Sequence, residues 1–227
     1  MINILLDMFN IDAPWIKPAL QQYILPTHRV AVVAFAFGDD IHTAADWDTM
    51  YHPESGKYYH SVVDGLLSYG IPLENIRIIN YIADSPAEAA HIIKNSDIVY
   101  FTGGLPHRMY ERIIEFGIDK VLADYHGIVM GFSAGADIQL AEYHLSPDKD
   151  YPDFVYYPGL GMQRGYYVEV HYEADPIQDA AIQRVLRERR QPVFALKFNS
   201  GALIACGSEV QPIGDVKIFL PEDILCK

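Results

Sequence analysis

The sequence predicts a single α/β domain with a mostly parallel β-sheet and helices on both of its faces. Short apolar runs rich in Val, Ile, Phe and Tyr alternate with longer segments of helical period, which is typical of a parallel sheet covered by helices. The chain of 227 residues is long enough to bury one large core. Neither an internal repeat nor a low-complexity linker divides it, so we treat residues 1–227 as one domain.

The predicted strands are apolar runs that end in turn residues. In chain order they are Ile2–Leu6, 29–36, Ile76–Ile79, 97–101, 127–132, 165–172, 193–197, 202–206 and 216–220. The strand at 97–101 runs directly into Gly103 and Gly104. The segment 146–157 is rich in Pro and Asp and predicts a loop.

The predicted helices are the segments of helical period between these strands. They cover 55–69, Pro86–Lys94, 109–116, 119–125, 134–142 and 176–190. Ser85 and Pro86 form the clearest start signal, because serine is a good N-cap and proline suits the first helical position. A single residue, Ser133, separates the strand at 127–132 from the helix predicted after it.

The charge balance excludes some classes of partner. The chain has 17 Lys and Arg against 30 Asp and Glu, a net charge of −13, whereas nucleic acids and anionic membranes attract clustered basic residues. The N-terminus lacks the basic region of a signal peptide, and no apolar run is long enough to span a bilayer. We expect a cytoplasmic protein that binds neither nucleic acid nor membrane, with Cys206 and Cys226 as free thiols.

The most specific motif is Gly131-Phe132-Ser133-Ala134-Gly135, which fits the G-x-S-x-G nucleophile elbow. It lies between a buried strand and a helix, the context that this motif requires. A sharp strand-to-helix turn lifts the serine hydroxyl out of the sheet, and the following helix directs its free N–H groups towards an oxyanion formed there. The motif predicts that Ser133 is a nucleophile.

Two further features complete a hydrolase site. Gly103 and Gly104 follow a strand of the same predicted sheet, so that the N–H of Gly104 or Leu105 can join that of Ala134 in an oxyanion hole. A serine also needs a general base. Among the nine histidines, His171 ends the apolar run 168–172, which would bring it to the rim of the sheet. The residues alone leave its role as base or structural histidine open.

These segments resemble the S51 serine peptidases, which include aspartyl dipeptidase (peptidase E) and cyanophycinase. The resemblance rests on FTGG at 101–104, GFSAGA at 131–136 and GLG…VEVHY at 159–172. It implies a scaffold similar to class I glutamine amidotransferases, with a flavodoxin-like sheet. It also implies that Ser133 is the nucleophile, that His171 is the base, and that the backbone of Gly103, Gly104 and Ala134 forms the oxyanion hole.

The resemblance places the acid of the triad between the serine and the histidine. Asp148 lies at about the family distance after Ser133, and Asp150 is the alternative. The other carboxylates of this stretch are Asp137, Glu142, Asp153 and Glu169.

The chain also departs from the family pattern. Leu105-Pro106-His107 follows the glycine pair where Asn-Thr is usual, and 177–182 lacks the Thr-Arg-Glu segment of aspartyl dipeptidases. Arg164 or Arg184 could supply the missing basic group for a substrate carboxylate. Specificity for an N-terminal aspartate is left open.

The sequence therefore predicts a serine-type exopeptidase or dipeptidase that hydrolyses short peptides or related amides through an acyl-enzyme. No cofactor or metal is expected, because the sequence has no metal-ligand or nucleotide-binding motif. The partners expected are a small peptide or amide substrate and, as an option, a second copy in a homodimer. The alternatives are an α/β-hydrolase-type esterase and a non-catalytic, ligand-binding amidotransferase-like domain.

Overall fold

The computed structural model describes residues 1–224, so Cys226 lies outside the described residues, whereas Cys206 is exposed and unpaired within them. The strands are β1 Ile2–Leu6, β2 Val30–Val33, β3 Ile76–Ile79, β4 Ile98–Phe101, β5 Ile128–Phe132, β6 Glu142–Leu145, β7 Val155–Pro158, β8 Tyr167–Tyr172, β9 Val193–Cys206 and β10 Glu209–Phe219. The helices are α1 Lys17–Leu20, α2 Ala44–Tyr51, α3 Tyr59–Leu67, α4 Pro86–Lys94, α5 Pro106–Phe116, α6 Asp119–Ala123, α7 Ala134–Asp137 and α8 Pro176–Arg189, with 3₁₀ turns at Leu73–Asn75 and Pro221–Asp223.

Eight of the strands form one mixed sheet. Its order is β10-β9-β1-β5-β4-β2-β3, and β8 also pairs with β9. Five neighbouring strands of this sheet are mutually parallel: β1, β5, β4, β2 and β3. Strand β9 is antiparallel to β1, and β8 is parallel to β9. Strands β6 and β7 form a separate hairpin. The predicted mostly parallel sheet is confirmed.

Helices cover both faces of this sheet, as predicted. On one face, α1, α2 and α3 pack with inward residues such as Leu20, Trp47 and Leu66 against alternate residues of the parallel strands. On the other face, α4, α5 and α6 pack against the intervening residues of the same strands. Burial on both faces explains why these strands are continuous apolar runs rather than alternating ones.

The best predicted helix is α4. Ser85 Oγ accepts the Glu88 N–H, and the Glu88 carboxylate accepts the Ser85 N–H at 2.8 Å. This capping box and Pro86 at the first position fix the start of the helix from local sequence alone.

The segment after Ser133 differs most from the prediction. The helix predicted over 134–142 ends at Asp137, because the Ala141 N–H donates to Gln163 O and residues 142–145 pair with β7. The loop predicted over 146–157 consequently contains the start of β7. The terminal strands predicted at 193–197 and 202–206 are one strand, β9.

None of the helices in residues 1–224 combines the length and the apolar character of a segment that crosses a bilayer.

Candidate active site

The candidate site lies at the carboxyl edge of the parallel strands, where β1, β5 and β4 are neighbours. Leu6 pairs with Phe132, and Phe101 pairs with Gly131. The residues that follow these strands therefore meet at one place, the edge where open α/β sheets bind their ligands. Asp7, Ser133 and the Gly103-Gly104 pair are brought together in this way.

Ser133 connects β5 to α7 in a strained conformation. Its φ is 52° and its ψ is −120°, outside the regions that L-residues favour. Its N–H donates to Leu6 O at 3.0 Å, which anchors the turn to β1. Such a residue costs on the order of 1–3 kcal/mol and persists only where its surroundings impose it. A strained turn between a strand and a helix is the local structure that the G-x-S-x-G motif requires.

Two glycines make this elbow possible by letting backbone segments approach each other closely. A Cβ on Gly131 would lie 2.2 Å from Gly135 O, and a Cβ on Gly135 would lie 2.2 Å from Phe101 O. The glycines of the motif therefore allow α7 to pack directly on the ends of β5 and β4.

We expect Gly135→Ala to lower the free energy of unfolding by about 3 kcal/mol, the upper end of the usual cost of overpacking. The methyl group would collide with a backbone oxygen, which cannot rotate away as a side chain can. The change is measured by urea unfolding. The control is Gly117→Ala, a left-handed C-cap with no atom within 4 Å of the new Cβ, which should cost about 1–2 kcal/mol. Equal costs for the two variants would contradict a rigid contact at the elbow.

His171 lies beside the Ser133 hydroxyl, as the sequence predicts. Its Nε2 is 2.8 Å from Ser133 Oγ, within the range of a nucleophile and its general base. His171 is also left-handed, with a φ of 54°. The Gln178 side chain from α8 donates to the His171 carbonyl at 2.9 Å and so holds this unusual backbone in place.

The carboxylate beside the other ring nitrogen is that of Asp7. His171 Nδ1 lies 2.9 Å from Asp7 Oδ1, and the Asp7 side chain is 1% exposed. The same oxygen accepts the His171 backbone N–H at 2.6 Å, and Oδ2 accepts the Asn199 N–H at 2.7 Å. The ring N–H is not well aligned with Oδ1; catalytic hydrogen bonds are often misaligned before substrate binds.

Neither Asp148 nor Asp150 occupies this position, contrary to the expectation from the resemblance. Asp148 Oδ1 accepts the N–H groups of Asp150 at 2.8 Å and of Tyr151 at 2.7 Å, so this carboxylate stabilises its own turn. The Asp150 side chain is largely exposed, 4.0 Å from the ammonium of Lys149.

The topology of the sheet explains how Asp7 reaches His171. β10 pairs along one edge of β9, and both β8 and β1 pair along the other edge. On that edge, β8 pairs with the first part of β9 and β1 with the last part of β9. Since β8 is parallel to β9 and β1 is antiparallel to it, the carboxyl ends of β8 and β1 face each other. Asp7 and His171 lie at these two ends. Sequence analysis missed Asp7, although it directly follows a buried strand.

The predicted oxyanion hole is consistent with the backbone at Gly104 and Ala134. The Gly104 N–H donates to no acceptor in residues 1–224, and Ala134, the first residue of α7, has no intrahelical acceptor for its N–H. Both residues and Ser133 line one cavity. The Leu105 N–H instead donates to Ala36 O at 2.8 Å, which excludes it as an oxyanion donor. Gly103 packs against the Phe132 ring and lines a second cavity, which neither Ser133 nor Ala134 lines.

Arg164 and Arg184, the predicted substrate-binding residues, do not line the Ser133 cavity. The Arg184 guanidinium pairs with Glu188 at 2.9 Å and lies 4.4 Å from the centre of the Phe154 ring. Arg164 is exposed beside Gly161. The structure therefore does not bring these guanidinium groups to the serine.

The cavity beside Ser133 is small and acidic, with a volume of about 270 Å³. Among residues 1–224, its lining includes five carboxyl groups but neither a lysine nor an arginine. The carboxyl groups belong to Asp137, Asp148, Asp150, Glu169 and Asp175. Within residues 1–224, no three His, Cys, Asp or Glu side chains are grouped as a metal site would require.

A larger, more apolar cavity of about 700 Å³ lies on the other side of the glycine pair. Its walls include Tyr51, Tyr58 and Phe132, and it shares Gly104 and Asp150 with the acidic cavity. A chain bound across Gly104 would therefore have space on both sides of that glycine.

Comparison with known proteins identifies the family. The family model of peptidase family S51 matches residues 49–213, most of the chain. The fold is similar to a putative peptidase E protein from Listeria monocytogenes EGD-e, with 18% identity, a TM-score of 0.66, and coverage of 94% of this chain and 98% of the other. A peptidase from an acI-B1 Actinobacterium is similar at 16% identity and a TM-score of 0.65, covering 98% and 91% of the two chains.

A search among curated proteins finds no significant match. The two structural similarities show that this chain has the same fold as these peptidases. That fold is a flavodoxin-like α/β arrangement. The match of the family model covers the elbow, the glycine pair and His171. The chain belongs to peptidase family S51 and is a serine peptidase.

Proposed function

We propose that this peptidase hydrolyses short peptides or related amides through a Ser133-His171-Asp7 triad and an acyl-enzyme. The observation that carries the proposal is the 2.8 Å contact between Ser133 Oγ and His171 Nε2 at a strained elbow. The buried carboxylate of Asp7 on the far side of the imidazole supports it.

In the first half of the reaction, Ser133 Oγ attacks the substrate carbonyl carbon while His171 Nε2 takes the hydroxyl proton. The negative charge that forms on the carbonyl oxygen is stabilised by the N–H groups of Gly104 and Ala134. The C–N bond then breaks as His171 gives its proton to the leaving amine. Ser133 is left as an ester of the acyl group.

In the second half, water replaces the amine. His171 takes a proton from the water, and the resulting hydroxide equivalent attacks the ester carbonyl. Collapse of the second tetrahedral intermediate breaks the Ser133 ester bond, and His171 returns the proton to Oγ. Throughout, the Asp7 carboxylate orients the imidazole and stabilises its protonated form.

We expect a fluorophosphonate probe to label Ser133, because such probes form a stable phosphonyl ester with an activated serine. The adduct is located by mass spectrometry of the digested protein. Amine release is measured in parallel from dipeptides and tripeptides varied at the N-terminal residue, and alcohol release is measured from acyl esters.

The outcomes separate the alternatives. Peptide cleavage together with an adduct on Ser133 supports the peptidase mechanism. Cleavage of esters alone favours the esterase, and absence of both adduct and cleavage favours a ligand-binding domain. The cytoplasmic location, the peptide substrate and the homodimer stay predictions from sequence.

A further inference from the structure

Among residues 1–224, one carboxyl group of the acidic cavity has a buried oxygen without a hydrogen-bond partner. Glu169 Oε2 lies 2.7 Å from His144 Nε2 and accepts the Ser146 hydroxyl at 2.7 Å. Asp175 Oδ1 accepts the N–H groups of Ile177 and Gln178, and so caps α8. Asp148 likewise stabilises its own turn. These carboxylates have structural partners.

Asp137 differs from them because it is buried without a partner. The residue is only 2% exposed, and its Oδ1 has no hydrogen-bond partner among residues 1–224. It nevertheless lines the cavity beside Ser133. A buried polar group without a partner is costly, so such a group in a ligand cavity indicates that its partner comes from the ligand.

The surroundings of Asp137 favour a positively charged partner. Burial and the nearby charge of Glu169 both raise its pKa well above the ordinary value. A cation in the cavity would offset both effects, since it favours the ionised carboxylate. In the described part of the chain, no lysine or arginine lines the cavity to supply this charge.

The position of Asp137 also suits a group close to the scissile bond. The Asp137 N–H donates to Ser133 O at 3.1 Å, one helical turn after the nucleophile. Asp137 and Ser133 also line the same cavity. A cationic group on the residue whose carbonyl Ser133 attacks would enter the cavity that Asp137 lines.

We propose that the Asp137 carboxylate binds a cationic group of the substrate, an ammonium or a guanidinium, in the cavity beside Ser133. The group is either the α-ammonium of the N-terminal residue or the end of a basic side chain. This inference rests on the proposed function, because it names the class of substrate for the same site. In it, Asp137 is a specificity-determining residue for cationic substrates.

Binding is tested by calorimetry on the Ser133→Ala protein, which cannot turn the ligands over. The ligands are argininamide, citrullinamide and their N-acetyl forms, because citrulline is a neutral isostere of arginine. We expect at least one cationic ligand to bind about 10- to 100-fold more tightly than N-acetylcitrullinamide, as for a hydrogen bond to a charged group. If acetylation removes the gain, the cation is the α-ammonium; if citrulline removes it, the cation is the side chain.

The variant Asp137→Asn, made in the same background, should abolish this preference while keeping the shape of the side chain. Asp153→Asn is the matched control: it removes the same charge from an exposed residue that does not line the cavity. We expect it to keep the preference. Thermal unfolding of each variant establishes that it is folded.

The inference is overturned if none of the three cationic ligands binds measurably, if N-acetylcitrullinamide binds as tightly as they do, or if the preference survives in Asp137→Asn. The first two results come from a protein with Asp137 intact and do not depend on the folding of that variant. Failure of the proposed function is seen separately, as the absence of an adduct on Ser133 and of peptide cleavage in the wild type. The two failures are therefore distinguishable.

Discussion

Ser133→Ala is expected to lower kcat for peptide hydrolysis by about 10⁶-fold, as the loss of a triad serine does in other hydrolases. The variant lacks the only atom that can form the acyl-enzyme in the proposed mechanism. The oxyanion donors at Gly104 and Ala134 stay in place, so weak residual activity over the uncatalysed reaction is expected. The measurement is amine release from the best peptide substrate.

The matched control is Ser146→Ala, which removes the other serine hydroxyl of the same cavity. The Ser146 hydroxyl donates to the Glu169 carboxylate, whereas that of Ser133 lies against a histidine nitrogen. Removal of the Ser146 hydroxyl should cause a small loss by comparison. A similar loss in both variants, or full activity in Ser133→Ala, would contradict the assignment of the nucleophile.

The parts of the site that could be predicted are those encoded by local sequence. The elbow needs only a buried strand, Gly131, Ser133, Gly135 and a helix start, all within a few residues. α4 was predicted with its observed bounds for the same reason, since its capping box spans four residues. In such segments propensity and packing favour the same structure.

The acid could not be predicted in this way, because its position depends on pairing between distant parts of the chain. Asp7 and His171 are 164 residues apart and meet only because β1 and β8 end against each other along β9. The sequence carries one usable signal: an aspartate that directly follows a buried strand. The family resemblance directed attention instead to the loop after the serine.

The basic residues illustrate a different limit. A substrate carboxylate needs a positive partner, which makes Arg164 and Arg184 candidates. The sequence does not show which way a side chain on α8 or on a turn faces. Among residues 1–224, the structure gives the cavity a lining with five carboxyl groups and neither a lysine nor an arginine. The electrostatic character of the site thus comes from tertiary packing rather than from composition.

Asp7→Asn is expected to lower kcat by about 10⁴-fold, the usual effect of replacing the acid that orients a catalytic histidine. An asparagine cannot stabilise the protonated imidazole. Its amide NH₂ would also face the N–H of either His171 or Asn199, both of which now donate to the carboxylate. Because His171 and Asn199 are left-handed residues held by these bonds, we also expect a loss of stability of about 1.5–3 kcal/mol.

A structural role alone would give the loss of stability without the specific loss of kcat. The decisive measurement is therefore the double variant Asp7→Asn with Ser133→Ala, compared with each single variant. If Asp7 acts through His171 on Ser133, the double variant is no slower than Ser133→Ala alone, since residues that act as a unit are not additive. Asp148→Asn and Asp150→Asn serve as controls and should cost little, because neither carboxylate approaches the imidazole. A loss of about 10⁴-fold in Asp148→Asn would return the triad acid to the loop and leave Asp7 as a structural residue.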